Sequence, residues 1–409
     1  MRRYAGLLAE RNFRLLWLGE TISQTGTAVT SVAMPLIAVT TLNASTFVVG
    51  LLSVAVWLPW VLVGLAAGAW VDRVDRKPLM VAADGVSIAL LASVPLAEWL
   101  GVLSIPFLLV VVFGIGVTSV FFLTAQQVLI PSVVERNDLP EANAKILGSE
   151  AAARIAGPGI GGVLTQAAGA FTGILVNAAG FAVSLGCLVA LKVEEPARPA
   201  VRRSLFHEIG DGIRYIATDP YLRPVTTFAA AVNLASSAIQ ALQVVFLVRV
   251  VGAGPVTVGV MLAITAGGAL AGAMAIRRVT VWLGTGRGMV VTAFTTVPFV
   301  LLIPLTTDGL GLVWFAVGMF MLDAGITGTN VIIGSFRHAY CPREMLGRVV
   351  ASMRTLAYSA LPLGALLGAV LGTVLDIRGA MWLAAVVLTL SALFLLPLRQ
   401  TRDLPVNDV

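Results

Sequence analysis

The stretch IPFLLVVVFGIGVTSVFFLTAQQVLI, residues 105–130, contains no charged side chain. An α-helix needs about 20 apolar residues to cross the hydrocarbon core of a bilayer, so this stretch is long enough to span a membrane. Comparable apolar runs recur on both sides of one long polar segment. The runs before that segment cover residues 15–39, 47–71, 79–100, 105–130, 146–167 and 171–191, and those after it cover residues 225–248, 256–276, 288–305, 310–334, 349–375 and 381–398. The sequence therefore predicts an all-α integral membrane protein of about twelve transmembrane helices.

The composition is that of a chain whose main solvent is lipid. Of the 409 residues, 58% are hydrophobic and 12% are charged, and the mean hydropathy is +0.94. The net charge of +6 could by itself favour a nucleic-acid partner. However, if the N-terminus is cytoplasmic, every Lys and Arg lies on that side except Arg249 and Arg378 outside and Arg154 and Arg354 within helices. This bias predicts a multi-pass protein of the cell (inner or plasma) membrane with both termini in the cytoplasm and no nucleic-acid partner.

The sequence shows no enzyme motif. Its two His and two Cys residues lack metal or redox spacing, and no glycine-rich loop suited to phosphate is present. We therefore expect neither catalysis nor a metal or other cofactor. An ATP-driven pump would need a nucleotide-binding domain, and a non-transporting membrane sensor would be expected to carry a large soluble domain. The sequence contains neither.

The polar segment divides the chain into two related halves. We predict a first six-helix bundle in residues 1–191, a cytoplasmic linker in residues 192–223 and a second bundle in residues 224–409. Within the linker, apolar residues recur at helical spacing from Leu205 to Ile216, which indicates an amphipathic helix at the inner membrane surface or, equally well, an ordinary linker.

An internal repeat supports this division. One offset along the chain aligns Gly64 with Gly268 and Pro158 with Pro362. A parallel repeat of six helices places a pseudo-two-fold axis along the membrane normal and a central site between the halves, an arrangement typical of transporters rather than pores.

Polar residues at helical spacing mark three of the runs. Because residues three and four apart share one helix face, each set predicts a polar stripe, and a polar stripe within lipid should face a cavity. The sets are Glu20, Gln24, Thr27 and Ser31 in the first run, Asn233, Ser236 or Ser237, Gln240 and Gln243 in the seventh, and Asp323, Thr327 and Asn330 in the tenth.

The fourth run contributes a largely apolar wall to this predicted cavity. Its polar residues are Gln126 and Gln127, close to Phe121, Phe122 and Leu123. We therefore expect an amphipathic cavity that accepts a small amphipathic molecule.

Ionisable residues within membrane helices are costly and call for a role. We interpret Glu20 and Asp323 as proton-coupling carboxylates that gain and lose a proton as the cavity opens to each side. Interhelical hydrogen bonding is the interpretation for Thr327 and Ser31. Two further interpretations are ion pairs: Asp84 with Arg76 or Lys77, and Glu150 with Arg154, which could also attract an anionic substrate.

Two short motifs predict moving parts. In GAWVDRVDRK, residues 68–77, an acid at a helix end beside three bases indicates a charge network that locks helix ends, although cytoplasmic topology alone would also explain the bases. In AGPGIGG, residues 156–162, a proline and four glycines indicate a bending or gating helix, the alternative being close packing of small residues.

These motifs resemble those of a known family. GAWVDRVDRK is similar to the loop signature of the major facilitator superfamily, and AGPGIGG is similar to the motif of its drug:proton antiporters. The segments RNFRLLWLGETISQTG from Arg11, PSVVERNDLPEANA from Pro131 and LGRVVASMRTLAYSALPLGALLG from Leu346 resemble the branch containing macrolide and enterobactin exporters. Together they extend over nearly the whole chain.

The resemblance implies the major facilitator fold, with two six-helix bundles that alternate access by rocking, and outward, proton-driven transport. It also implies roles for residues. The cytoplasmic latch would comprise Gly68, Asp72, Arg73, Arg76 and Lys77; the hinge of the fifth helix Arg154, Gly157, Pro158, Gly161 and Gly162; and the cavity Gln24, Thr27, Phe122, Gln126, Asn233, Ser237, Gln240 and Asn330.

The chain departs from the family pattern at several positions. Thr27 and Leu123 stand where the family often has acids, and Glu150 stands where relatives often have a base. The second-half copy of the loop, residues 272–280, lacks the acid and should latch weakly or not at all.

The leading hypothesis is a secondary exporter of a small organic compound, active as a monomer, with antibiotic resistance or release of a self-made metabolite as its purpose. A proton-linked importer is the alternative within transport. The sequence does not identify the substrate.

Overall fold

The computed structural model describes residues 6–71, 73–193 and 205–405, and all regular structure in these ranges is helical. The α-helices are α1 Arg11–Leu36, α2 Thr46–Leu62, α3 Gly64–Val71, α4 Arg76–Trp99, α5 Ile105–Val133, α6 Leu139–Ala168, α7 Ala170–Ala190, α8 Leu205–Thr218, α9 Leu222–Val245, α10 Pro255–Leu283, α11 Thr285–Thr296, α12 Leu312–Tyr340, α13 Arg343–Val374 and α14 Ile377–Ser391. Short π-helical segments extend α1 and α9, and 3-10 segments extend α11 and α14.

Ten helical segments of the described residues are long and apolar enough to cross a membrane. The prediction of a multi-pass, all-α membrane protein is therefore confirmed, while the count of twelve stays a prediction. The two remaining runs differ for local reasons. The run at 47–71 is divided into α2 and α3 at Val63, and α6 contains Glu150, Arg154 and the Gly/Pro motif, which lower its apolar character.

The helices group into two compact units. The first unit comprises Met1–Ser45, Ala55–Ala200 and Gly254–Ala263, and the second comprises Thr46–Val54, Val201–Ala253 and Ile264–Val409. Each unit thus includes one short segment from the other half of the sequence. The first turns of α10 belong to the first unit, and the first turns of α2 belong to the second. The predicted domain bounds at 191 and 224 remain predictions.

In the first unit, small residues bring α1 close to α6 and α7. Gly161 of α6 contacts the backbone of Val29 in α1, and Gly26 of α1 contacts Asn177 in α7. Missing Cβ atoms let the helix backbones approach, which strengthens van der Waals packing where lipid provides no hydrophobic driving force.

An apolar core closes the end of the first unit at which α1 begins. Buried side chains from α1, α4, α5 and α7 meet there, among them Phe13, Met80, Phe122, Leu129 and Leu188. Polar side chains that lie beyond this core are therefore separated from solvent on that side.

In the second unit, α9 packs along α13, where Gly364 contacts Leu234 and Gly368 contacts Ala238. Within the predicted linker the structure has the helix α8, and the side chains of residues 205–209 lie outside the described set. Its place at the inner membrane surface stays a prediction. α8 packs on α13, and Asp211 forms a salt bridge of 3.3 Å with Arg348.

The predicted second copy of the loop is wrong. Residues 272–280 lie inside the continuous helix α10, which runs to Leu283, and Gly272 contacts the backbone of Ala324. The turn comes instead at Gly284, whose φ of 83° favours glycine. The apolar run at 256–276 is shorter than the helix because the helix continues through Arg277 and Arg278. These two side chains are exposed near the helix end, where long basic side chains can extend out of the lipid.

Candidate functional site

Several helix termini meet at one end of the first unit. Asn12 Nδ2 donates to the Lys192 carbonyl over 2.7 Å, which joins the start of α1 to the end of α7. Trp17 Nε1 donates to Ser149 Oγ over 2.8 Å, which joins α1 to α6. Lys77 Nζ donates to the Leu191 carbonyl over 2.6 Å, which joins the start of α4 to the same end of α7. Residues within about three turns of these contacts therefore lie towards the same end of the first unit.

Glu20 of α1 lies towards this end of the first unit and is buried, with 7% of its surface exposed. Its Oε1 accepts a hydrogen bond of 2.8 Å from Gln24 Nε2, while its buried Oε2 has no hydrogen-bond partner. The Gln126 amide of α5 faces the carboxyl group, and the charge of Glu150 on α6 acts on it. No Lys or Arg in the described part of the chain forms an ion pair with Glu20.

Asp84 of α4 is more deeply buried than Glu20, with 1% of its surface exposed, and the charge of Glu20 acts on it. Neither carboxylate oxygen has a hydrogen-bond partner in the described structure, although the Ser184 hydroxyl of α7 faces the group. Ser87, one turn further along α4, shares a hydrogen bond of 2.7 Å with Thr118 of α5 and so holds the same face of α4 against its neighbour. We refer to Glu20, Asp84, Gln126, Glu150 and Ser184 as the buried polar cluster.

The predicted ion pair of Asp84 is wrong. Lys77 donates instead to the carbonyl oxygens of Val189 and Leu191, because the last carbonyls of a helix are unpaired and attract cations. Asp84 therefore faces the bundle interior. The sequence does indicate this placement, because Asp84 and Ser87 are three residues apart and so share one face of the helix.

The other predicted cavity residues of the first unit differ in exposure. Gln24 is half-buried, Thr27 is exposed, and Gln126 is buried beside Glu20. Phe122 belongs to the apolar core described above. The predicted interhelical bond of Ser31 is wrong, since its hydroxyl donates to a carbonyl of its own helix over 2.7 Å.

Two predicted cavity residues of the second unit hold helices together. Asn233 Nδ2 and Ser237 Oγ of α9 donate to backbone carbonyls of α13 over 3.1 Å and 2.7 Å. Gln240 of α9 and Asn330 of α12 are exposed, and Asp323 of α12 is half-buried. The exposed pair is thus the more accessible to a solute.

The predicted latch is only partly within the described structure. Asp72 lies outside the described residues. Gly68 has open space around it, Arg73 is exposed, and Arg76 is buried at the start of α4.

The predicted Glu150–Arg154 ion pair is not formed, since the two side chains make no salt bridge in the described structure. Arg154 is exposed, and the charge of Glu150 acts on Glu20. Spacing on a helix permits such a pair but does not enforce it when the neighbouring helices direct the side chains apart.

The predicted hinge in α6 is a run of close backbone contacts. Gly157 and Gly161 contact α1, and Gly162 contacts Gly259 in the part of α10 that belongs to the first unit. Pro158 is buried inside the helix. Any side chain larger than hydrogen at these glycines would push the neighbouring backbone away.

The sequence profile described as "Transmembrane secretion effector" matches residues 4–406. The chain belongs to this family. It is 28% identical over 398 residues to the multidrug efflux pump Tap of Mycolicibacterium fortuitum, covering 92% of this chain and 93% of that protein. It is also 28% identical to Tap of Mycobacterium tuberculosis strain H37Rv, over 76% of each chain.

Solved structures agree in fold. A bacterial homologue of the human lysosomal transporter Spinster superposes with a TM-score of 0.74 at 15% identity, covering 96% of this chain and 98% of that one. A bacterial homologue of the iron transporter ferroportin gives 0.75, also at 15% identity, with 95% and 98% covered. The resemblance inferred from the motifs is confirmed: the protein is a multi-pass transporter of the major facilitator superfamily, whose substrate is a small molecule.

Proposed function

We propose that this transporter exports a small amphipathic organic compound, such as a drug, an antibiotic or a secreted metabolite, in exchange for protons. Export is supported by the relatives named as multidrug efflux pumps. Proton coupling is supported by one observation, the buried Glu20 carboxyl group with an oxygen that has no partner. In this proposal the protein works as a monomer in the cell membrane, with both termini in the cytoplasm.

Glu20 would carry the coupling because it can exist in two forms of very different cost. An ionised carboxylate without a cation is unfavourable away from water, whereas the protonated acid is not. Opening of the site to one side allows a proton to leave and a solute to bind, and opening to the other side reverses both. Asp323 would contribute a second titrating group in the other half.

The side chains that would contact the solute are Gln24, Thr27 and Gln126 in the first unit and Gln240 and Asn330 in the second. These side chains are amides and a hydroxyl, which offer donors and acceptors without fixed charge. Such a surface suits amphipathic molecules of varied shape. The motifs at residues 68–77 and 156–162 would serve as latch and hinge.

Reconstituted proteoliposomes provide the test, with a fluorescent amphipathic dye as the probe solute. A pH gradient imposed across wild-type vesicles should drive dye against its concentration gradient in the opposite direction to the protons. Glu20→Gln should abolish this accumulation but retain dye counterflow without a gradient, because binding and alternating access do not need the proton. Glu98→Gln removes an exposed carboxylate of α4 and should behave as wild type.

Each outcome has a distinct meaning. Accumulation by Glu20→Gln at the wild-type rate would show that Glu20 does not couple transport to protons. Dye movement in the same direction as the protons would establish symport, and thus the importer.

A further inference from the structure

Asp84 is a buried carboxyl group that the proposed mechanism does not use. It lies on α4, which packs against α5 and α7 in the first unit. Those two helices contain no Lys, Arg, His, Asp or Glu residue. No cation can therefore reach Asp84 from either neighbour.

The charges that act on Asp84 and Glu20 come from acids, while Arg76, which is also buried on α4, lies about two turns before Asp84. The charge of Glu20 acts on Asp84 from α1, and that of Glu150 acts on Glu20 from α6. The Cys187 thiol of α7, beside Gly19, is a further titratable group in this region. On α4 itself, Lys77 binds the carbonyls at the end of α7.

Close packing joins α1, which carries Glu20, to α7, which also packs against the helix of Asp84. A Cβ on Gly19 would lie 3.2 Å from the Cα of Ser184, so α1 and α7 are nearly in backbone contact beside Glu20. The Ser184 side chain of the same helix faces Asp84. The apolar core formed by Phe13, Met80 and its neighbours separates this region from solvent at one end of the unit.

Three of the four carboxylate oxygens of Glu20 and Asp84 are buried without a hydrogen-bond partner in the described structure. An ionised carboxylate oxygen in that setting has lost its hydration without a hydrogen bond to replace it. A second negative charge beside it raises the free energy of the ionised form further. A proton on the carboxyl group removes the charge, and the release of one proton leaves a single charge that both groups share.

We propose that Asp84 and Glu20 form a coupled proton-binding pair inside the first unit. Use of this pair for transport rests on the proposed function, but its existence as a titrating pair does not. A proton that leaves one carboxyl group strengthens the hold of the pair on the proton that remains, so the two groups titrate together rather than independently.

Infrared spectroscopy of the full chain in lipid nanodiscs tests the pair, because the carbonyl stretch of a protonated carboxylic acid is separate from carboxylate absorption. With ¹³C in the aspartate side-chain carboxyl, wild type should show a shifted carboxylic-acid band at neutral pH. Asp84→Asn should lose that band, and Glu98→Gln on the same helix should keep it. In Glu20→Gln the band should disappear at lower pH than in wild type, because the neighbouring negative charge is gone.

Three results would overturn the proposal: no labelled acid band in folded wild type at neutral pH, a band that survives in Asp84→Asn, or an unchanged titration in Glu20→Gln. If Asp84→Asn does not fold, Ser184→Ala serves instead, because loss of the facing hydroxyl should shift the frequency of the wild-type band. An unchanged frequency there would also count against Asp84. The spectra do not depend on transport, so failure of proton-driven export would leave this test intact.

Discussion

The contact between α1 and α6 can be tested with two alanine substitutions in one helix. A Cβ on Gly161 would lie 2.7 Å from the carbonyl oxygen of Val29 and 3.2 Å from its Cα. Both neighbours are backbone atoms, which cannot rotate out of the way. A Cβ on Gly159 would meet nothing within 4 Å. Gly161→Ala therefore forces two helices apart, and Gly159→Ala does not.

The difference between the two variants isolates this packing effect. Each substitution improves intrinsic helix propensity by about 1 kcal/mol, which cancels in the comparison. Overpacking a close contact typically costs about 1–3 kcal/mol. We expect Gly161→Ala to be less stable than Gly159→Ala by about that amount, and Gly159→Ala to be at least as stable as wild type.

Reversible unfolding in mixed micelles with an increasing fraction of SDS measures this difference. The free energies of unfolding of the three proteins should rank Gly159→Ala, wild type, Gly161→Ala, in decreasing order. Equal values for the two variants would refute the close approach of α1 and α6 at this point. In the proteoliposome assay, Gly161→Ala should also transport more slowly than Gly159→Ala.

Two further predictions concern the second unit. Asp219 accepts hydrogen bonds from two backbone N–H groups at the start of α9 and from the Tyr340 hydroxyl over 2.8 Å. Asp219→Ala should lower the free energy of unfolding by about 1–2 kcal/mol, because it removes the cap of the helix, and Tyr340→Phe should lower it by less. Equal losses in the two variants would contradict a capping role for Asp219. Burial and the charge of Asp219 raise the pKa of the Cys341 thiol to about 11, so the thiol is protonated at neutral pH. In a Cys187→Ala background, maleimide labelling of Cys341 should therefore be slow at neutral pH and accelerate towards pH 11. Fast labelling of the folded protein at pH 7 would argue against a buried Cys341 thiol beside Asp219.

Most helices were predictable from residue order because hydrophobicity within a membrane is a local property. Residues 105–130 are apolar throughout, and the structure has α5 from Ile105 to Val133. Local rules failed at helix ends and breaks. The eighth apolar run ends at Ile276, yet α10 continues to Leu283, because exposed basic side chains near a helix end do not terminate the helix.

The candidate site was predictable in part. The spacing of Glu20 and Gln24 predicted a shared face, and the structure joins them by a hydrogen bond. For Asp84 the sequence predicts the wrong surroundings, because Arg76 and Lys77 are the bases nearest to it along the chain. Distance along the chain indicated an ion pair, whereas the carbonyls at the end of α7 took Lys77 and left Asp84 inside the bundle.

The sequence by itself determined that this protein is a helical transporter of the major facilitator superfamily. Long apolar runs, basic loops and glycine-rich motifs are features of single segments, and lipid permits a long apolar segment few structures other than a helix. Only the tertiary structure decided which ionisable residues share one interior. Glu20, Asp84 and Glu150 belong to three different helices, and their proximity follows from how glycines such as Gly19 and Gly161 let those helices pack. Charge interactions depend on distance in space, which the order of residues alone does not give.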